Sequence, residues 1–267
     1  MKRLKPGAGR GTNHDKRGES MRNTELEKLI NQKLNSRALE DYAPNGLQVE
    51  GRQEVKRIVT GVTACQALLD SALAHGADAV MVHHGYFWKN ESPVVSGMKR
   101  RRLKTLLAND INLYAWHLPL DAHAELGNNA QLAAALDIRV TGSLEPLLPY
   151  GEFATPLSGE ALRLRLEQTL GRSVLHCGDG GPAQIKRLAW CSGGGQGFIE
   201  MAAQAGMDAF ITGEVSEQTI HIAREEGLHF YAAGHHATER GGVRALGEWL
   251  AQQYDFDVTF IDIPNPV

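Results

Sequence analysis

Between residues 26 and 34 the apolar side chains Leu26, Leu29, Ile30 and Leu34 recur at three- and four-residue intervals, the period of one helix face. Thr24 followed by Glu27 has the form of a capping box and predicts where that helix starts. Further along, short β-branched runs alternate with helical stretches, which predicts an α/β fold with mixed, largely parallel sheets. One of these runs, "AVMVHHGYFWK" at 79–89, passes from a buried strand straight into His83 and His84. Neighbouring strand residues face opposite ways, so the two histidines serve one centre only if the backbone turns between them or if two ions are bound.

The pattern repeats. "KRIVTGVTACQALLDSALAHGADAVMVHHG" from Lys56 aligns without a gap to "KRLAWCSGGGQGFIEMAAQAGMDAFITGEV" from Lys186. Lys56/Lys186, Arg57/Arg187, Gln66/Gln196, Ala72/Ala202, Gly76/Gly206, Asp78/Asp208 and Ala79/Ala209 are identical pairs. Each copy has the form strand, helix, Gly turn, strand, a βαβ unit, so two related α/β domains are expected. The next strand of each half ends alike, in His117-x-x-x-Asp121 and His235-x-x-x-Glu239. Ligands of open α/β sheets bind at the carboxyl ends of strands. His83, His84, His117, Asp121, His235 and Glu239 are all expected there.

Composition narrows the partners. The first twenty residues carry six Lys/Arg against two acids, which leaves the remainder with 22 basic and 29 acidic residues. An acidic body argues against nucleic acid as a partner. The run "KRRRLK" at 99–104 is then a solvated helix face. Residues 1–20 contain no apolar core of a secretory signal and are expected to be a disordered basic tail or an upstream start. Three cysteines without a C-x-x-C pair argue against a disulfide scaffold or thiolate zinc site, and no apolar stretch approaches the roughly 20 residues of a membrane helix. The expected compartment is the cytoplasm.

A cluster of imidazoles and carboxylates suits zinc, iron, manganese or nickel. The number of ligands exceeds what one catalytic zinc takes from protein, whereas two ions would give His83 and His84 one each. Spacing alone does not separate His235 from His236. The loop "CSGGGQGF" at 191–198 offers Gly193, Gly194 and Gly195 as a phosphate-binding loop or as a tight turn with close helix packing. Glu214 aligns with His84 in the repeat and is a candidate acid or base, or a cap for the following helix.

"DYAPNGLQVEG", "VHHGYFWK", "HLPLDAHAELGNN", "ITGEVSEQ" and "GHHATERGG", in this order, resemble the YbgI-like or NIF-three-like family, whose members are often labelled GTP cyclohydrolase 1 type 2 homologues. The resemblance spans residues 21–267 and is to the short form without an inserted domain. It implies a toroidal homohexamer and a dinuclear metal site, two divalent ions per chain. It places the metal ligands on His83, His84, Asp121, His235 and Glu239, with His117 as a further ligand or an orienting neighbour. The first domain is expected to comprise 21–145 plus 230–267 and the second 146–229, joined near the linker-like stretch 143–153. The expected function is a metal-dependent hydrolase that uses a metal-activated water on a small nucleotide or purine-like substrate. The alternative is a non-catalytic metal-binding ring for storage, delivery or scaffolding.

Overall fold

The computed structural model describes residues 19–267, so the expected basic tail lies, except for Glu19 and Ser20, outside the described residues. The chain forms strand β1 (Met21–Arg22), helix α1 (Asn23–Leu34), strands β2 (Gly46–Val49), β3 (Glu54–Val55) and β4 (Arg57–Thr63), helix α2 (Gln66–Ala74), strand β5 (Ala79–His84), helix α3 (Gly97–Ala108), strand β6 (Asn112–Ala115) and helices α4 (Leu118–Ala122) and α5 (Asn128–Ala135). It continues through β7 (Arg139–Glu145), β8 (Leu148–Leu157), α6 (Gly159–Leu170), β9 (Leu175–Cys177), β10 (Ile185–Cys191), α7 (Ile199–Gln204), β11 (Ala209–Thr212), α8 (Glu217–Glu226), β12 (His229–Ala232), α9 (His235–Thr238), α10 (Arg240–Tyr254) and β13 (Asp257–Phe260).

These strands build two mixed sheets and a two-residue pairing of β1 with β3. The five-stranded sheet, in order β13-β4-β5-β6-β2, is parallel except at β2. The six-stranded sheet, in order β7-β8-β10-β11-β12-β9, is antiparallel in three of its five pairings. The expectation of largely parallel sheets therefore describes the first sheet and not the second. Two of the three antiparallel pairings involve the stretch 143–153, which is paired strand: Glu145 pairs with Leu148 and closes the β7–β8 hairpin, and the third is β12 with β9. Proline at 146 and 149 gave this segment a loop-like composition, yet both lie where a strand tolerates them, in the turn and near a strand end. The six-stranded sheet thus draws on residues 139–232, wider at both ends than the 146–229 expected for the second unit.

Alternation along the strands sends side chains to two covered faces. On the first sheet, Ile58, Met81 and Tyr114 meet Leu26 and Ile30 of α1 and Val243 and Leu246 of α10. The opposite face, Val59, Val80 and Leu113, meets Leu68 and Leu69 of α2 and Leu106 of α3. In α3, Leu103 and Leu106 are buried while Arg100, Arg101 and Lys104 remain exposed, the solvated face expected of "KRRRLK".

The two halves share local wiring. Asp78 accepts from the amides of Lys56 and Arg57 at 2.9 and 2.8 Å. Asp208 accepts from those of Lys186 and Arg187, both at 2.9 Å. The parallel pairs Ile58↔Ala79 and Leu188↔Ala209 keep the same register. Helix α1 departs from expectation: it starts at Asn23, and Glu27 is not a cap but accepts the Leu47 N–H of β2 at 2.8 Å. A tertiary strand contact outcompetes the local box.

Candidate metal centre

The carboxyl ends of parallel strands from both sheets converge on one cluster. β5 ends in His83 and His84, and the chain leaving β6 delivers His117 and, on α4, Asp121. From the second sheet the turn after β12 delivers His235, and α9 carries the chain to Glu239 at the start of α10. Glu239 is the N-cap residue of this fifteen-residue helix, where the helix dipole favours a carboxylate. All six expected residues are brought together.

Glu239 is the hub. One of its oxygens, Oε1, lies 3.3 Å from His83 Nε2, and the other, Oε2, lies 3.1 Å from His84 Nε2 and 3.2 Å from His235 Nε2. His83 Nε2 also lies 3.4 Å from Asp121. His84, His235 and Glu239 form one group with the spacing to hold a metal ion, and His83, Asp121 and Glu239 form a second. His83, His84 and His117 form a third. Adjacent histidines at a strand end thus meet two different oxygens of one carboxylate.

The imidazoles are held from behind. His83 Nδ1 donates to the Trp116 carbonyl at 2.9 Å, and His117 Nδ1 donates to Asp41 at 2.8 Å. His235 Nδ1 donates to Glu214 at 2.5 Å, and His84 Nδ1 pairs with Thr63 Oγ1 at 3.1 Å. Each Nε2 is therefore the nitrogen left for the cluster. Asp121 Oδ1 accepts from Asn128 at 2.9 Å and from Ser192 Oγ at 3.0 Å. Partners of this kind fix a ligand's tautomer and direction. Asp41, Thr63, Asn128 and Ser192 were not singled out by sequence reasoning; Asp41 had been visible only as the first residue of "DYAPNG".

Burial works against a charge on His83, but the Asp121 and Glu239 carboxylates override it and hold its pKa well above the ordinary imidazole value. Burial would raise Glu239, yet the His83 charge and the imidazoles of His235 and His84 hold it well below the carboxylate range. Contact with Glu239, opposed by burial and helped by Glu214, lifts His235 to about 9. His84 goes the other way, pushed down by burial. Within this ionised cluster, His83 Nε2 and Glu239 Oε2 are buried without a hydrogen-bond partner. Buried polar atoms left unpaired are costly, and a cation beside each would satisfy it, one next to His83 and one next to the Glu239 oxygen that faces His84 and His235.

Two of the three glycines expected to form a phosphate-binding loop have their N–H groups engaged within the fold. Gly193 and Gly195 spend their N–H groups on Thr238 Oγ1 at 2.9 Å and Thr212 Oγ1 at 3.0 Å, so they are not free to receive an anion. Gly193 has φ +72°, and a Cβ there would strike Glu239 and come within 3.1 Å of His235 Nε2. The loop is a close-packed turn that lets the cluster's carboxylate approach the backbone. Glu214, expected as an acid or base or as a cap for the following helix, is engaged with His235 while Ser216 caps α8, and His236 turns away to pair with Asp262 at 2.7 Å.

The profile of the Duf34/NIF3 family (NGG1p interacting factor 3) matches residues 21–266. The chain belongs to this family. It is 72% identical over 246 residues to a Yersinia pestis protein named GTP cyclohydrolase 1 type 2 homolog, covering 92% of this chain and all of that one. A solved structure described as protein ybgI of unknown function is 72% identical, with TM-score 0.92 over 92% of this chain and 100% of the other. TTHA1606 from Thermus thermophilus matches at 34% identity and TM-score 0.86 over the same shares. Among the described residues of this Duf34/NIF3 member, no helix is long and apolar enough to cross a membrane.

Proposed function

We propose that the chain is a hydrolase that holds two divalent ions and acts on a small nucleotide or purine-like molecule. The observation that carries the reading is the pair of buried, unpartnered atoms, His83 Nε2 and Glu239 Oε2, inside a ring of imidazoles whose other nitrogens are already engaged. The donor set of nitrogen and carboxylate oxygen suits zinc, iron, manganese or nickel. His84 and His235 would hold one ion and His83 and Asp121 the other, with Glu239 shared. Such a pair supplies Lewis acidity and lowers the pKa of coordinated water.

The chain's own residues prepare the site for that chemistry. Asp41 and Glu214 keep His117 and His235 aimed inward, and Asn128 and Ser192 hold Asp121. His117 lies close enough to His83 and His84 to join either as a ligand or as a proton carrier. The label carried by the 72% identical relatives supports a nucleotide as the substrate class. A duplicated ancestry of the two halves, suggested by the matching Asp78 and Asp208 contacts, and a hexameric ring are parts of this reading.

Elemental analysis of tag-free protein tests the metal: near two ions per chain are expected, falling in His83→Ala. A nucleotide panel that includes GTP tests the reaction. Turnover that is lost in Asp121→Ala with the fold preserved is the expected result; unchanged turnover in that variant removes the hydrolase reading. Metal retention with no turnover of any nucleotide would favour a storage or scaffold role. Light scattering checks the ring.

A further inference from the structure

Two aromatic rings at the edge of the cluster serve neither core nor metal. Tyr42 follows Asp41, is 54% exposed, and sets its ring 5.0 Å from that of His117, edge-on. Trp88, half-buried, stands perpendicular to the His117 ring at 4.9 Å and lies 6.0 Å from the His84 ring. Trp116 and Trp190, by contrast, are fully buried. Tyr42 and Trp88 belong to separate loops, yet the Lys89 N–H donates to the Tyr42 carbonyl at 2.7 Å and ties them together.

Both loops are fixed. The Tyr42 backbone N–H donates to Asp41 at 2.8 Å, so the residue that orients His117 also holds the backbone from which the Tyr42 ring projects. After β5, Gln48 Oε1 accepts the Tyr86 N–H at 2.8 Å, Gln48 Nε2 donates to the Tyr86 carbonyl at 3.1 Å, and the Tyr86 hydroxyl donates to the Ala64 carbonyl at 2.6 Å. The next residue, Phe87, sits at φ +62°, a conformation that costs a bulky side chain on the order of 1–3 kcal/mol. That strained turn lies immediately before Trp88.

We propose that Tyr42 and Trp88 form a stacking platform for a planar, purine-sized heterocycle whose polar edge is thereby presented to the cluster. The proposal rests on the functional reading above and names the part of the substrate this face selects. Their ring centroids are 5.8 Å apart, tilted by 38°. An intercalated ring would need two successive aromatic contacts of at least about 4.5 Å each, so the ligand stacks on the open faces and not between them. Stacking of this kind is tolerant of ring identity and demands planarity. A sugar phosphate alone gains nothing from it.

Calorimetric titration of the metal-loaded full chain with guanosine and with ribose 5-phosphate tests this, with metal per chain measured on every sample. Guanosine is expected to bind at least about tenfold more tightly than ribose 5-phosphate, and Trp88→Leu and Tyr42→Leu each to weaken it about tenfold without loss of metal. Trp88→Phe and Tyr42→Phe keep a ring and are expected to retain most of the affinity. Guanosine binding that is absent in metal-replete wild type, unchanged in both leucine variants, or matched by ribose 5-phosphate would overturn the platform while leaving the metal reading intact. Wild type that retains no metal would instead sink the metal reading, and the same titrations on that protein would still decide the platform.

Discussion

His117 Nδ1 donates to the Asp41 carboxylate at 2.8 Å across 76 residues of chain. Asp41 also accepts from the amides of Tyr42 and Leu118 and from the Asn45 side chain, so four donors surround one buried carboxylate. Removing it leaves those donors unpaired and frees the imidazole to rotate. Asp41→Ala is expected to weaken metal retention by about 10–100-fold, measured by competition with a chelator of known affinity. Burial alone would raise the Asp41 pKa, but the hydrogen bonds from His117 and Asn45 hold it below its ordinary value. Its contribution to stability is therefore fully present above about pH 4 and is lost as the pH falls through the folded value. Thermal melts of metal-free wild type and Asp41→Ala should converge at the acid end.

Glu239 faces histidines on both of its oxygens. If two ions are held as proposed, its replacement should strip both, whereas loss of Asp121 touches only the group containing His83. Elemental analysis is expected to find little metal in Glu239→Ala and an intermediate amount in Asp121→Ala. Equal retention in the two variants would contradict the shared role.

Contact with Glu239, helped by Glu214, pushes the His235 pKa up to about 9 in the absence of metal. At neutral pH a metal must displace that proton, so affinity should rise with pH up to about 9 and lose up to about tenfold per unit below it for each proton released. His84, pushed down by burial, contributes no such proton. Calorimetry in buffers of differing ionisation enthalpy counts the protons; a net release of zero at pH 7 would contradict the assignment. The same shift implies that metal-free protein loses this part of its stability as pH rises from about 6.5 to 9, since the folded pKa is the higher one.

Gly193 and Gly197 offer a paired test of the glycine loop. Alanine at 193 combines positive φ with a collision against Glu239, whereas a Cβ at 197 meets nothing within 4 Å. Gly193→Ala is expected to cost about 1–3 kcal/mol in chemical denaturation and to lower metal retention. Gly197→Ala should leave both within error or slightly improve stability.

The strand-end histidines were legible because an apolar run that ends in imidazole breaks its own pattern, and because His117-x-x-x-Asp121 recurs as His235-x-x-x-Glu239. Each of these pairs flanks or enters a short helix, α4 or α9, which gives the repeated spacing its physical cause. The supporting residues were not legible. Asp41, Asn128 and Ser192 acquire meaning only when separate loops meet, and the Trp116 contribution is a backbone carbonyl that no side-chain pattern encodes. Glu27 shows the converse error: a local capping signal was read where a strand amide, Leu47 N–H, claims the carboxylate. The β7–β8 hairpin was hidden for a related reason, because proline signals a break without saying whether the chain then leaves or folds back.

The candidate ligands come from residues 83–121 on one side and 235–239 on the other, and so from the exits of two different sheets. No half-folded chain contains the cluster. An ion bound there would add its free energy to the fully assembled state alone, and would act as a proofreader of folding: chains that have closed both sheets are retained, and those that have closed only one gain nothing from the metal.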